Sequence, residues 1–257
     1  MQQVSIARMI IDGKKISERI LNEVRREIQE KELKISLAVI LVGDDFSSKI
    51  YVKRKEQAAK IIGAGFELFK FNRDISKENL EREIKEISNR FSGLIIQLPL
   101  PEGLKDVLKA IPEQKNVESV SPVVSAVEEI LKECGISLEG KKIALVGRGK
   151  LVGKPLEEWL KEKGLEYFGI EKIKEADIII TGVGKPKLIT QDMVKEGAVV
   201  IDIGFSHDEN GKAVGDVDFN EVSKKASLIT PVPGGVGPIT VACLFKNLLK
   251  LNERTTI

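Results

Sequence analysis

The sequence contains one tyrosine–lysine pair whose spacing suits proton chemistry on a flat substrate. Tyr51 and Lys55 are four residues apart, so they project from one face if the stretch is helical. The ring can stack on a flat ligand, and the amine can move protons if its pKa is lowered. The neighbouring cations are expected to lower that pKa: Lys49, Lys53 and Arg54. The alternative is a solvated, lysine-rich helix with one half-buried tyrosine.

The residues around this pair predict a helix with defined ends. Ser47 or Ser48 can cap its N-terminus, and Gly63 is a natural C-terminal stop. Its apolar face is expected to consist of Ile50, Ala58, Ile61 and Ile62.

Composition excludes several classes of function. The chain has 257 residues and a net charge of only +2, which indicates neither a nucleic-acid partner nor a membrane surface. Cys134 and Cys243 are far apart, so neither a disulfide framework nor a metal site is expected. The single histidine, His207, argues against a zinc or triad mechanism. We find no long apolar run and no signal peptide, so we expect a cytoplasmic protein.

Apolar runs that end in glycine or proline alternate with amphipathic segments along the chain. Residues 35–43 and 93–98 are typical of buried parallel strands, with helical segments after each. This alternation predicts an α/β fold with helices on both faces of a parallel sheet. A polar, irregular stretch from Pro112 to Pro122 predicts a hinge.

We therefore predict two α/β domains with a cleft between them. The first comprises residues 1–120 together with the C-terminal helix, residues 239–257. The second, residues 121–238, is expected to be a Rossmann-like, doubly wound nucleotide-binding domain.

A glycine-rich turn follows the predicted strand 141–146. The segment Gly147–Pro155 has the spacing G-x-G-x-x-x-G and opens a helix, so its backbone N–H groups could hold a phosphate. A tight turn without a ligand is the alternative. Two further strands end in glycine, at Thr181–Gly184 and Asp202–Gly204. Small residues at three strand ends leave a crevice of the kind that binds dinucleotides.

Two features of this region favour different dinucleotides. Arg148 and Lys150 could hold the 2′-phosphate of NADP. Glu171, 24 residues after Gly147, could instead bond the free ribose hydroxyl of NAD, or be an ordinary exposed carboxylate.

The segment Thr230–Thr240 is unusually rich in proline and glycine. Three prolines stiffen it, and three glycines allow a ligand to approach the backbone. A purely structural turn is the alternative.

Taken together, these motifs resemble the bifunctional methylenetetrahydrofolate dehydrogenase/methenyltetrahydrofolate cyclohydrolase family, nearly end to end. The matching segments are Tyr51-Val52-x-x-Lys55, Gln97-Leu98-Pro99-Leu100-Pro101, Gly147-Arg148 with Val152 to Pro155, Ala176 to Ile178 leading to Gly184-Lys185-Pro186, Val200 to Gly204, Gly215 to Asp218, and Thr230 to Thr240. The resemblance implies NADP-dependent oxidation of 5,10-methylenetetrahydrofolate to the methenyl form, then hydrolysis to 10-formyltetrahydrofolate. It also implies one-carbon metabolism that feeds purine and amino-acid biosynthesis, and a homodimer.

The resemblance assigns roles to individual residues. Lys55 would be catalytic, Tyr51 would stack on the aminobenzoyl ring, and Gln97 would hydrogen-bond and tune Lys55. Contacts to folate would come from Tyr51, Lys55, Gln97, Leu98, Pro99, Glu118, Pro233, Gly234, Gly235, Gly237 and Pro238. Contacts to the cofactor would come from Gly147, Arg148, Gly149, Val152, Gly153, Gly182, Val183, Gly184, Phe205 and Thr240.

The chain departs from the family pattern at several positions. The pterin-binding K-D-V-D-G motif appears as Lys115–Ser119, with Glu118 as its carboxylate. Gly149 replaces a serine, and Phe205 stands where isoleucine is usual. The H-S-x-T segment that supports the 2′-phosphate is absent, since residues 165–174 are shorter. NAD is therefore the alternative to NADP. A dehydrogenase without cyclohydrolase activity and a non-catalytic folate- or nucleotide-binding protein are the alternative functions.

Overall fold

The computed structural model describes residues 8–255. Its strands, in chain order, are β1 (Met9–Ile10), β2 (Ser36–Val42), β3 (Gly65–Phe71), β4 (Gly93–Ile96), β5 (Ile143–Val146), β6 (Tyr167–Phe168), β7 (Ile178–Thr181), β8 (Val199–Asp202), β9 (Ser206–His207), β10 (Ala213–Val214) and β11 (Leu228–Ile229). The α-helices are α1 (Gly13–Glu30), α2 (Phe46–Ile62), α3 (Lys77–Ser88), α4 (Pro122–Glu133), α5 (Gly153–Glu162), α6 (Phe219–Val222) and α7 (Val236–Thr255). Short 3-10 helices lie at Lys105–Ala110, Glu113–Lys115, Ile170–Glu175 and Gln191–Met193.

The chain divides into two compact units. The three-stranded unit comprises Glu18–Pro122 and the residues from Val241 onward. The six-stranded unit comprises the residues up to Ser17 and Val123–Thr240. This division differs from the predicted one at the N-terminus, because β1 pairs with β11 of the six-stranded unit. Residues 1–7 and 256–257, which belong to the predicted first domain, lie outside the described residues.

The three-stranded unit is built on a short parallel sheet. β2 lies at its centre, with β3 and β4 on either side. Every residue of β2 after Ser36 is buried, which agrees with the continuous apolar run in the sequence. On one face, Ala38, Ile40 and Val42 pack with Leu80, Ile84 and Ile87 of α3.

Helix α2 packs against β2 and β3 and begins with a true side-chain cap. The Asp45 carboxylate accepts a hydrogen bond from the Ser48 backbone N–H at 2.7 Å, so the cap is Asp45 rather than Ser47 or Ser48. Gly63 ends the helix in the left-handed conformation, as predicted. Its buried face differs from the predicted one in Ile61, which is 47% exposed.

The six-stranded unit contains a fully parallel sheet of order β1-β11-β8-β7-β5-β6. After β5, the chain forms β6 on one side of β5 and then crosses over to form β7 on the other side. The point where the chain changes direction lies between β5 and β7, which is where doubly wound sheets bind ligands. This arrangement confirms the predicted α/β fold and the doubly wound sheet of the second domain.

Most elements agree with the sequence patterns within a few residues. The pattern of residues 190–196 favours a helix, but only the 3-10 turn Gln191–Met193 forms there. Helix α7 begins at Val236 instead of 239, so Gly237 and Pro238 lie in its first turn, where proline is tolerated. The sequence did not predict the edge strand β1. The turn-forming pair Asn210–Gly211 lies between β9 and β10, which pair in an antiparallel hairpin.

Candidate active site

Lys55 is buried and makes a hydrogen bond to a neutral partner. It is 7% exposed, and its Nζ donates to Gln97 Oε1 at 2.8 Å. The Gln97 Nε2 group donates to the Leu98 carbonyl at 2.8 Å, which leaves Oε1 facing the lysine. The Gln97 backbone N–H donates to the Ile40 carbonyl at 2.8 Å, so the pairing of β4 with β2 fixes the position of Gln97.

The surroundings of Lys55 shift its pKa downward. Burial is the main cause of the lowered pKa, while the charge of Glu118 opposes it and raises the pKa. In return, the Lys55 charge lowers the pKa of Glu118, against a larger desolvation effect that raises it. Glu118 as a residue is solvent-exposed, yet protein atoms crowd its carboxyl group. The neutral Gln97 amide accepts from the lysine without restoring its charge.

The predicted cause of the lowered Lys55 pKa, crowding by neighbouring cations, is wrong. Lys49 forms an ion pair with Asp44, and the Arg54 guanidinium lies over the Tyr51 ring, 5.5 Å from its centroid. Tyr51 is half-buried, and burial raises the pKa of its hydroxyl. Desolvation of Lys55, and not crowding by these cations, therefore dominates its titration.

The segment that carries Glu118 is held by two asparagines. The Asn116 side chain accepts from the Glu118 backbone N–H at 3.0 Å and forms a tight turn. Asn247 of α7 is buried and its Nδ2 donates to the carbonyls of Val117 and Val120, at 3.2 and 2.9 Å. Sequence reasoning missed Asn247, although a polar residue within an apolar helical stretch is a recognisable signal.

A cavity of about 680 Å³ lies at the carboxyl ends of the strands of the three-stranded unit. It is lined by the loops 42–45, 70–73 and 99–101, so Pro99 is the predicted folate contact that reaches it.

In the six-stranded unit, the glycine-rich turn packs tightly at the end of β5. Gly147 has φ 109°, and a Cβ there would lie 2.8 Å from the Gly182 carbonyl oxygen. A Cβ on Gly153 would lie 2.1 Å from the Gly147 carbonyl oxygen, and one on Gly182 would lie 2.3 Å from Val152. These glycines therefore permit the close approach between β5, β7 and the start of α5.

The N-terminus of α5 is suited to a phosphate. No side chain caps it at Val152. The Lys154 N–H donates to the Gly149 carbonyl at 3.0 Å and the Leu156 N–H to the Val152 carbonyl at 3.3 Å, and Pro155 has no N–H, which leaves the Gly153 N–H as the first-turn donor for a phosphate. Arg148 and Gly149 are exposed beside it, and the position of a Gly149 Cβ has no atom within 4 Å. One backbone donor, open space and a cation together fit the diphosphate of a dinucleotide.

A buried carboxylate shapes the neighbouring loop after β7. Asp216 is 0% exposed and accepts four hydrogen bonds. The donors are Thr181 Oγ1 at 2.8 Å and the backbone N–H groups of Val183, Gly184 and Lys185 at 2.6, 2.8 and 2.8 Å. The predicted cofactor contacts Val183 and Gly184 are thus held in place by Asp216, a residue that the sequence analysis had matched only as part of a motif.

A second buried carboxylate, Asp202, lies next to Asp216. It accepts from the backbone N–H groups of Gly204, Val217 and Asp216, at 2.9, 2.9 and 3.2 Å. Burial is the largest cause that raises the pKa of Asp202 to about 7, and these N–H donors oppose the rise. A Cβ on Gly204 would lie 2.2 Å from the Asp216 carboxyl, which explains a glycine at the end of β8.

The proline- and glycine-rich loop is ordered by its own backbone. Gly235 N–H donates to the Pro231 carbonyl at 2.8 Å, and Gly13 N–H donates to the Gly234 carbonyl at 3.0 Å. A Cβ on Gly13 would lie 1.8 Å from the Gly235 carbonyl oxygen, so the start of α1 needs glycine there. Pro233 is exposed.

The predicted residues fall into two groups. Tyr51, Lys55, Gln97, Leu98, Pro99 and Glu118 belong to the three-stranded unit. The loop residues Pro233 to Pro238 and all predicted cofactor contacts belong to the six-stranded unit. Among the predicted cofactor contacts, Thr240 Oγ1 donates to the Val236 carbonyl at 3.1 Å, and Phe205 packs edge-to-face on His207.

Within residues 8–255, no three His, Cys, Asp or Glu side chains are arranged to hold a metal ion. Over the same residues, no helix is both long and apolar enough to cross a membrane.

Comparison with known families matches both units. Residues 11–118 match the catalytic domain of tetrahydrofolate dehydrogenase/cyclohydrolase, and residues 121–256 match the NAD(P)-binding domain of the same family.

Individual relatives match over nearly their whole length. A bifunctional protein FolD of Nautilia profundicola is 43% identical, over 94% of this chain and 96% of its own. The crystal structure of the bifunctional dehydrogenase/cyclohydrolase FolD from Campylobacter jejuni has a TM-score of 0.90 at 35% identity, covering 96% of this chain and 99% of that one. The FolD of Trypanosoma brucei, solved with NADP and an inhibitor, has a TM-score of 0.90 at 28% identity, covering 97% and 98%.

Replacement of Asp216 by asparagine should loosen the loop after β7. Asparagine keeps the volume, but its amide turns an NH₂ group toward one of the backbone donors, so a buried charged network is broken. We expect a loss of about 3 kcal/mol in the free energy of unfolding, measured with urea, and faster amide exchange at residues 183–185.

Asp218→Asn is the matched control. Asp218 forms only a 3.7 Å ion pair with exposed Lys187, so its loss should stay within about 1 kcal/mol. Equal losses in the two variants would contradict the role given to Asp216.

Proposed function

The chain belongs to the tetrahydrofolate dehydrogenase/cyclohydrolase family, and we propose that it carries both activities on one folate. It oxidises 5,10-methylenetetrahydrofolate to 5,10-methenyltetrahydrofolate with NAD(P), then hydrolyses the product to 10-formyltetrahydrofolate. The observation that carries this proposal is the buried hydrogen bond between Lys55 Nζ and Gln97 Oε1.

Lys55 acts in the hydrolytic step. Attack of water on the methenyl carbon requires a group that accepts one proton from that water and returns it to the departing nitrogen, while the second proton is released to solvent as the formyl carbonyl forms. A buried lysine with a lowered pKa gives up its proton more readily than an exposed lysine and can take this role. Gln97 supports this role because it orients the amine while remaining uncharged.

The oxidative step places different demands on the protein. NAD(P) supplies the hydride acceptor when bound, and no side-chain acid is needed at the reacting carbon. The contribution of the chain is positioning: the turn at Gly147 and the uncapped start of α5 hold the diphosphate, and the loop fixed by Asp216 borders the site.

Folate recognition is proposed to use the remaining three-stranded contacts. Tyr51 stacks on the aminobenzoyl ring, and Glu118 accepts hydrogen bonds from the guanidine-like edge of the pterin. Asn116 accepts a hydrogen bond from the Glu118 N–H, and Asn247 donates to the carbonyls of Val117 and Val120, which supports a fixed position for Glu118.

The two alternative functions receive less support. A dehydrogenase without hydrolytic activity would have no need of a desolvated lysine, and accumulation of the methenyl product would identify it. A binding protein without catalysis would have no need of the Lys55–Gln97 pair either.

The family resemblance further supports a cytoplasmic homodimer, with the hairpin of β9 and β10 as a candidate interface. Sedimentation velocity of the purified chain is expected to give twice the mass of 28.4 kDa. A single species of monomer mass at micromolar concentration would contradict it.

Lys55→Met should separate the two activities. Loss of the proton-moving amine is expected to slow hydrolysis by about 100-fold or more, so the methenyl chromophore accumulates during NAD(P)-dependent turnover. Lys53 is an exposed lysine of the same helix, and the Lys53→Met variant should hydrolyse the methenyl product at the normal rate. Hydrolysis at the normal rate in Lys55→Met would refute the assignment, and absence of turnover with either dinucleotide in the unmodified chain would refute the function.

Glu118→Gln should shift the pH dependence of hydrolysis. The Glu118 charge raises the pKa of Lys55, so its removal lowers that pKa further. The neutral amine then forms at lower pH, and the rise of the hydrolytic rate with pH should move toward acid in stopped-flow assays. A shift toward alkaline pH would show that the two groups are not coupled in this way.

A further inference from the structure

Strand β6 ends beside the glycine-rich turn. It pairs in parallel with β5, with Phe168 opposite Ala144, so the residues that follow both strands lie at one edge of the sheet. In dinucleotide-binding folds, the residue after this second strand lies beside the adenosine ribose and distinguishes a free hydroxyl from a 2′-phosphate. In this chain the residues after β6 include Gly169 and Glu171.

The carboxylate of Glu171 is held at this strand end. Its Oε1 accepts from the Gly169 backbone N–H at 2.9 Å, and a Cβ on residue 169 would lie 2.5 Å from Oε2. Glycine at 169 is therefore what lets the carboxylate fold back over the strand end. The backbone N–H groups of Glu171 and Gly169 lower the pKa of this carboxyl, so it is charged at neutral pH. The side chain is exposed and accessible to a ligand.

Arg148 interacts electrostatically with two carboxylates at this strand end. The charge of Arg148 lowers the pKa of both Glu157 and Glu171. Glu157 also accepts hydrogen bonds from Lys161 at 2.7 Å and from the Tyr167 hydroxyl at 2.6 Å. A 2′-phosphate placed here would add about −1.5 to −2 charges beside fixed carboxylates.

We propose that Glu171 is the specificity-determining residue for the dinucleotide and selects NAD over NADP. Its carboxylate accepts a hydrogen bond from the 2′-hydroxyl of the adenosine ribose and repels a 2′-phosphate at the same position. The inference rests on the proposed function, since it concerns the dinucleotide of that reaction.

The test compares the binding of NADH and NADPH, measured by the fluorescence of each dinucleotide. AMP and 2′,5′-ADP serve as competitors in the same assay. The kcat/KM values for NAD and NADP are measured in parallel. The variants are Glu171→Gln and Glu171→Ser. Glu175→Gln is the matched control, because it removes the same charge from the same 3-10 helix at an exposed ion pair with Lys142.

The unmodified chain should bind NADH at least about tenfold more tightly than NADPH, a difference of about 1.4 kcal/mol. Both Glu171 variants should reduce that ratio by at least about tenfold, chiefly through tighter NADPH and 2′,5′-ADP binding, while Glu175→Gln leaves it within about twofold. Binding of both dinucleotides with a preference for NADPH, or a ratio unchanged in the Glu171 variants, would overturn the inference and leave the proposed function intact. Binding of neither dinucleotide would overturn both.

Discussion

The hydrogen bond between Lys55 and Gln97 is the contact on which the proposed chemistry depends. Burying an amine favours its neutral form, and a carboxylate partner in direct contact would cancel that effect. The Gln97 amide orients Lys55, because its own NH₂ group is held by the Leu98 carbonyl. It leaves the lowered pKa of Lys55 in place, because the amide carries no charge. The amide is in turn fixed by the pairing of β4 with β2, so the core of the three-stranded unit positions the reactive group.

In the six-stranded unit, the buried polar groups hold loops in place rather than change the pKa of an amine. Asp216 and Asp202 are buried carboxylates whose oxygens gather backbone N–H groups from the loops after β7 and β8. Burying two neighbouring carboxylates is costly, and the donors around them compensate for the lost hydration. Gly204 and Gly215 lack side chains where these carboxyl groups lie, so the motifs D-I-G and G-D-V-D form one structural device.

Local patterns in the sequence predicted most of the fold, because buried parallel strands leave continuous apolar runs and helices leave caps and stripes. They also predicted that Tyr51 and Lys55 lie in one helix, which is α2. They could not predict effects that depend on tertiary burial: desolvation as the cause of the Lys55 pKa shift, the clamp of Asn247 on residues 117–120, or the pairing of β1 with β11. Long-range contacts of this kind have no local signal, and a two-residue strand is too short to show a period.

The central claim is that Lys55 is a neutral base at the pH at which hydrolysis proceeds. A ¹⁵N NMR titration of the lysine Nζ resonances, with Lys55 assigned by its loss in the methionine variant, tests this most directly. The account predicts that Lys55 titrates below the ordinary lysine value of 10.5 and at the midpoint of the pH dependence of hydrolysis. A Lys55 pKa at or above 10.5 would contradict it.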